Sequence, residues 1–436
     1  MRRDRIIQTF LSGLLVRRAA AMMAVLLVNS LFIPAVSPAA TLSGDSRTYV
    51  QSRQATDASK VLGAYEYLDF VLQNFDDETI TFHSGGWLRY DLKEEEFGRK
   101  TSNDLQYSYL SFKQKTGNTI VNLGRVMVFE GVAAERVDGL YARTDLVNNF
   151  TVAAFGGVPV ETELELPGNN SIYGGSLTQQ VPGLYRIGLS YLREEKRSAD
   201  FRKEEGVDLW FLPFSKVELV GRSSYNAVTA AWMEHNYSLV LGPFDKLRLT
   251  TDVSSISYKD YFTGTTNAAF KFKAGLLDPK ETMSLVGETI SYAATKAVNI
   301  SLDYKAYSYD IAGDAKYFGG TIGYSSPASG GAGLSLHRMA GDADRLRYSE
   351  YRVYCFKKID KTDIALDVLD VKYDNAISGV SNAYSATVAA GYELTEKLKL
   401  GADIEYSKNP DFDKDVRAFI KAIYRFDVGS GARKGA

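Results

Sequence analysis

The 436-residue chain has one cysteine, three histidines, ten prolines and three tryptophans. A lone Cys355 excludes an internal disulfide framework and any cysteine-based metal cluster. It reads as a small packed hydrophobe. His83, His235 and His337 are scattered, and none sits in a His-Glu-x-x-His or Gly-x-Ser-x-Gly setting. They read as polar strand or loop residues, so no enzyme, cofactor or metal site is expected. The glycine-rich Ser325–Leu336 lacks the Lys-Ser/Thr ending of a phosphate loop and reads as a surface turn. Glu94-Glu95-Glu96 and Glu204-Glu205 read as solvated loop charges rather than a divalent-cation site. After Ala40 no stretch keeps the i, i+3, i+4, i+7 apolar rhythm over three turns, which excludes a helical architecture.

The other apolar run is short. Arg2, Arg3, Arg5, Arg17 and Arg18 precede Ala19–Ile33, and small residues follow at Ser37 and Ala39. The run falls below the ~20 residues a spanning helix needs, so residues 1–40 read as a cleaved secretory signal peptide. Its removal takes five arginines and Asp4 from 51 basic and 53 acidic side chains, leaving 46 and 52. A net charge near −6 argues against a nucleic-acid partner, which asks for a basic patch.

What is abundant is tyrosine and phenylalanine, 28 and 22 residues, both suited to strands and to surfaces wet at one end. Period-two segments recur along the chain. In Asp415–Phe426 the row Val416, Ala418, Ile420, Ala422, Tyr424 and Phe426 is apolar, while Arg417, Lys421 and Arg425 share the other face. Leu398, Leu400, Ala402, Ile404 and Tyr406 likewise oppose Lys399, Gly401, Asp403 and Glu405. The segments are about ten residues long and start or end on aromatics, the length and girdle of a tilted membrane-crossing strand. The expected architecture is all-β: a transmembrane antiparallel up-and-down barrel of about 20 strands (18–22), without a plug domain. Residues 41–60 are expected to be a polar periplasmic leader, 61–426 the barrel, and 427–436 a flexible tail. A soluble sandwich also alternates. Charges and glycines opposite the apolar rows, the edges that some twenty strands would expose, and the export signal all favour closure instead.

Two stretches carry a family resemblance. Asp415–Phe426 resembles the terminal signal of bacterial outer-membrane proteins, with alternating apolar residues ending in an aromatic, although ten residues follow Phe426. Val121–Arg143 resembles a Gram-negative porin segment in which a strand ends Leu-Gly-Arg and the next opens Asp-Gly, here Leu123-Gly124-Arg125 and Asp138-Gly139. The resemblance implies the bacterial outer membrane, with lipid and lipopolysaccharide outside and small solutes passing within. It implies a porin for passive diffusion; the alternative is a barrel sheath housing a multihaem cytochrome in an electron conduit. Lumen-lining candidates are Arg89, Arg125, Asp138, Lys399, Asp403, Glu405, Arg417, Lys421 and Arg425. Leu398, Leu400, Ile404, Ile420, Tyr424 and Phe426 are expected to face lipid. The interior is expected to be open, narrowed by an inward-folded loop, or filled by a partner protein.

Overall fold

The computed structural model describes residues 41–429, apart from 55–59, 74–78, 94–98, 161–169, 198, 263–277, 279, 329 and 411. The expected signal peptide, the Glu94–Glu96 cluster and the tail beyond residue 429 therefore lie outside the described residues.

Twenty-two strands form one sheet among the described residues. The first eight are β1 (Thr41–Gln54), β2 (Lys60–Gln73), β3 (Ile80–Asp91), β4 (Thr101–Lys113), β5 (Ile120–Glu130), β6 (Ala133–Asp145), β7 (Phe150–Pro159) and β8 (Asn170–Val181). Next come β9 (Tyr185–Lys196), β10 (Ala199–Phe214), β11 (Val217–Asn226), β12 (Ala231–Phe244), β13 (Leu247–Ser257), β14 (Thr282–Ala293) and β15 (Val298–Tyr309). The remainder are β16 (Gly313–Ser326), β17 (Gly330–Gly341), β18 (Arg347–Ile359), β19 (Thr362–Ile377), β20 (Val380–Glu393), β21 (Leu398–Asn409) and β22 (Phe412–Val428). Each pairs antiparallel with its successor, and β1 closes on β22, with Val50 opposite Ile420 and Asp45 opposite Arg425. Closure gives every strand a partner strand on both sides, over at least part of its length.

Cα partners in a ladder point to one side, so the register carries each row round the barrel. Contacts between strands that are not neighbours identify the concave side. Ser176 of β8 donates to Glu130 of β5 (2.6 Å), and Arg202 of β10 donates to Glu135 of β6 (2.6 Å). The opposite row is the convex one. There Leu123, Ile404, Val416 and Ile420 stay exposed, Ile420 at 64%. An apolar convex surface suits a lipid solvent, in which every backbone group must be paired internally.

Several expectations are corrected. The strand count is 22, the upper end of the expected 18–22. Residues 41–54 are no leader: β1 pairs along its length with β2 and with β22. Its outward row of Leu42, Gly44, Ser46, Thr48, Val50 and Ser52 hid it, because only Leu42 and Val50 are apolar and larger than glycine there. The Ser46 and Thr48 hydroxyls donate to Glu66 of β2 at 2.6 and 2.7 Å. β22 runs on through Val428, so Asp427 and Val428 belong to the barrel rather than to a tail. Glu204 and Glu205 lie within β10, whose register slips between Asp200 and Arg202 and again between Phe211 and Phe214. The second slip lies in Val207–Phe214, a segment whose alternation breaks phase. Gly330–Leu336, read as part of a turn, belongs to β17.

Candidate functional site

The interior is narrowed by the β5–β6 hairpin. β5 pairs with β4 only from Ile120 to Arg125, although the hairpin itself runs on to Glu130 and Ala133. At the point of departure Gly124 has φ +130°, and a Cβ there would lie 2.4 Å from the Ser108 carbonyl. Only glycine tolerates both conditions. Beyond this hinge the hairpin turns across the inner faces of β7 to β11. Val126, Val128, Ala133 and Val137 pack there on Phe155, Ile172 and Leu192, all between 0 and 6% exposed. These valines belong to the inner row, which explains apolar side chains where a water-filled wall would want polar ones.

Polar contacts fasten the hairpin at its tip and flanks. The Val132 amide donates to Ser190 Oγ (3.0 Å), and Arg222 Nη2 donates to the Gly131 carbonyl (2.9 Å). Glu130 accepts from Tyr141 Oη (2.7 Å) and Ser176 Oγ. Arg202 sits among Glu204 (2.9 Å), Glu135 (2.6 Å) and Glu194 (3.7 Å), joining the hairpin to β9 and β10. On the opposite side Arg136 reaches Asp104 of β4 (2.5 Å). A small polar cavity of about 100 Å³ lies under the tip, with Arg143, Arg186, Glu130 and Asp208 among its walls.

Seven of the nine lumen candidates share the inner row. Arg89 is 6% exposed and holds Asp91 through three hydrogen bonds of 2.7 to 2.9 Å. Lys399 pairs with Asp363 of β19, and Arg417 donates to Asp415 (2.7 Å). The Lys421 ammonium lies 5.8 Å from the Phe419 ring centre, and Arg425 stands opposite Asp45. Glu405 stands opposite Arg417, and Asp403 opposite Phe419. Arg125 and Asp138 do not belong with them. They occupy the outer row beside Leu123 and Leu140, where β5 leaves the wall. The two are joined by paired 2.7 Å hydrogen bonds, and Arg125 Nη1 donates to the Leu105 carbonyl (3.0 Å), covering part of the β4 edge that β5 abandons. The lipid-side candidates Leu398, Leu400, Ile404, Ile420, Tyr424 and Phe426 all fall on the outer row.

Sequence reasoning missed an aromatic belt on the inner wall. Phe419 of β22 stacks on Tyr49 of β1 (5.0 Å between centroids), which meets Tyr67 of β2 edge-on (5.4 Å). Tyr107 of β4 donates to Asp69 (2.9 Å) and approaches Tyr109, which stacks on His83. The three histidines stay apart, bonded to Thr81, Ser223 and Asp303. Among the described residues no group of histidine, cysteine and acids is placed to hold a metal.

No family model matches the sequence, and no curated protein matches it. Solved structures do. A mutant of the ferric enterobactin receptor PfeA from Pseudomonas aeruginosa superposes with a TM-score of 0.55 at 10% identity, covering 88% of this chain and 80% of that one. The siderophore receptor PirA from Pseudomonas aeruginosa gives 0.52 at 11%, with the same coverages. The outer membrane protein OprD of that organism gives 0.42 at 9%, over 89% and 94%. At such identities the likeness is one of fold: this chain has the architecture of the large closed β-barrels.

Proposed function

We propose that the chain is an outer-membrane channel, a porin that lets small hydrophilic solutes or ions diffuse through a water-filled lumen. The observation that carries this reading is the division of one closed sheet into an apolar convex row and a concave row rich in ion pairs. Barrels of this width leave room for an aqueous path unless a plug fills them. Among the described residues the interior is entered instead by the β5–β6 hairpin. Lys399, Asp403, Glu405, Arg417, Lys421 and Arg425 then line the path, while Arg89 on the same row is buried against Asp91. Most of the inner charges are paired, so selectivity arises from local field and width rather than from one dominant sign. The convex row meets lipid and lipopolysaccharide. A lumen partly occupied by its own hairpin leaves less space for a guest protein, which favours the free channel over the cytochrome sheath.

Purified chain reconstituted into a planar bilayer is the test, with an absorption spectrum of the same sample. Stepwise, haem-independent conductance is expected. A folded sample that never conducts, or one that always carries haem protein, contradicts the proposal.

A further inference from the structure

We infer that the β5–β6 hairpin is an internal gate with two seats, one inside the lumen and one in the wall beside β4. The inference goes beyond the channel reading, since the movement is defined whether or not solute flows. The lumen seat is the observed one, held by the valine cluster and by Arg136, Arg202 and Arg222. It leaves two things unsatisfied. Met127 and Phe129 point away from the cluster and stay 46 and 69% exposed, a poor surface for a wet interior. Meanwhile, among the described residues, β4 has a strand partner on its β5 side only from Ser108 to Lys113, so Ser102 to Tyr107 present an open edge there. The Arg125 guanidinium covers one carbonyl of that edge, at Leu105.

Both deficits vanish together if β5 continues straight past Gly124. The existing register sets Ser108 opposite Arg125, so the next pair is Tyr107 with Val126. β4 carries a bulge at Gln106, which β3 skips in passing from Tyr107 to Leu105. Counting that bulge puts Met127 opposite Leu105 and Phe129 opposite Asn103. Met127 and Phe129 then extend the outer row of Leu123 into lipid, and Val126 and Val128 return to the inner row. An edge strand with unpaired backbone groups is a ready template for such pairing. Glycine at position 124 lets the backbone take either course. Each seat has contacts the other lacks, the requirement for a two-state element.

Disulfide trapping tests this in a Cys355→Ser background, in reconstituted protein. Val132→Cys with Ser190→Cys captures the lumen seat, where the Val132 amide already lies 3.0 Å from Ser190 Oγ. Asn103→Cys with Phe129→Cys captures the wall seat. Both pairs are expected to crosslink under oxidant, read as a gel shift that reductant reverses. The wall-seat crosslink is expected to fix the higher conductance. Single-cysteine variants confirm folding. If the Asn103/Phe129 pair stays as two free thiols in folded barrel, or if the two crosslinked forms conduct alike, the gate is refuted. The gel shift needs no conductance, so its failure is distinct from failure of the channel reading.

Discussion

The most heavily committed single residue is Arg202. Its guanidinium is shared by Glu135, Glu194 and Glu204, and two of those acids are 5% exposed. Removing one partner of a buried ion pair strands the other charge, at a cost of roughly 3–5 kcal/mol. Arg202→Met is therefore expected to lower the temperature at which the folded barrel loses its compact gel mobility, with Arg202→Lys restoring part of the loss. Equal melting of Arg202→Met and the parent chain contradicts this. Arg125 and Asp138 teach a different lesson at this scale. A motif marked them as lumen residues, yet simple alternation already placed Arg125 in one row with Leu123, Met127 and Phe129. Their ion pair on the wall was not legible, because nothing local in the sequence says that β5 leaves β4.

Among elements, β21 and β22 were readable because their outer rows are unbroken and apolar. β1 was not, since its outward hydroxyls serve Glu66 across the strand pair and erase the pattern. The hairpin was hidden for the converse reason. Val126, Val128 and Val137 look like ordinary strand residues, and only their place on the inner row, with a glycine at the hinge, marks them as packed against another inner wall. An inward-folded loop stood among the expectations, but the sequence did not say which one. Replacing residues 126–137 by a short turn removes the obstruction while leaving β5 and β6 paired below it. Conductance is expected to rise about twofold or more, since the narrowest part of a pore dominates its resistance. Unchanged conductance means that the hairpin does not lie in the conducting path.

For the whole molecule, closure is the property on which the rest depends. β1 supplies the seam, pairing with β2 on one side and with Leu42 to Ser52 against Ala418 to Val428 on the other. A chain lacking residues 41–54 presents two open edges to lipid, where unpaired backbone groups cost several kcal/mol each. It is expected to fail to reach the compact, detergent-resistant form, whereas a dispensable leader leaves folding intact. The barrel class and the use of its two faces were readable from alternation repeated over many strands. The number of strands was not, because bulged strands such as β10 and a polar one such as β1 break the count.

The central claim is that one face of this sheet meets lipid and the other meets water. Cysteine labelling at two adjacent positions of β22 tests it most directly, in membranes and in a Cys355→Ser background. Lys421→Cys is expected to react with a membrane-impermeant, water-soluble maleimide, and Ile420→Cys to react only with a lipophilic one. Reaction of both with the soluble reagent, or of Ile420→Cys alone, contradicts it.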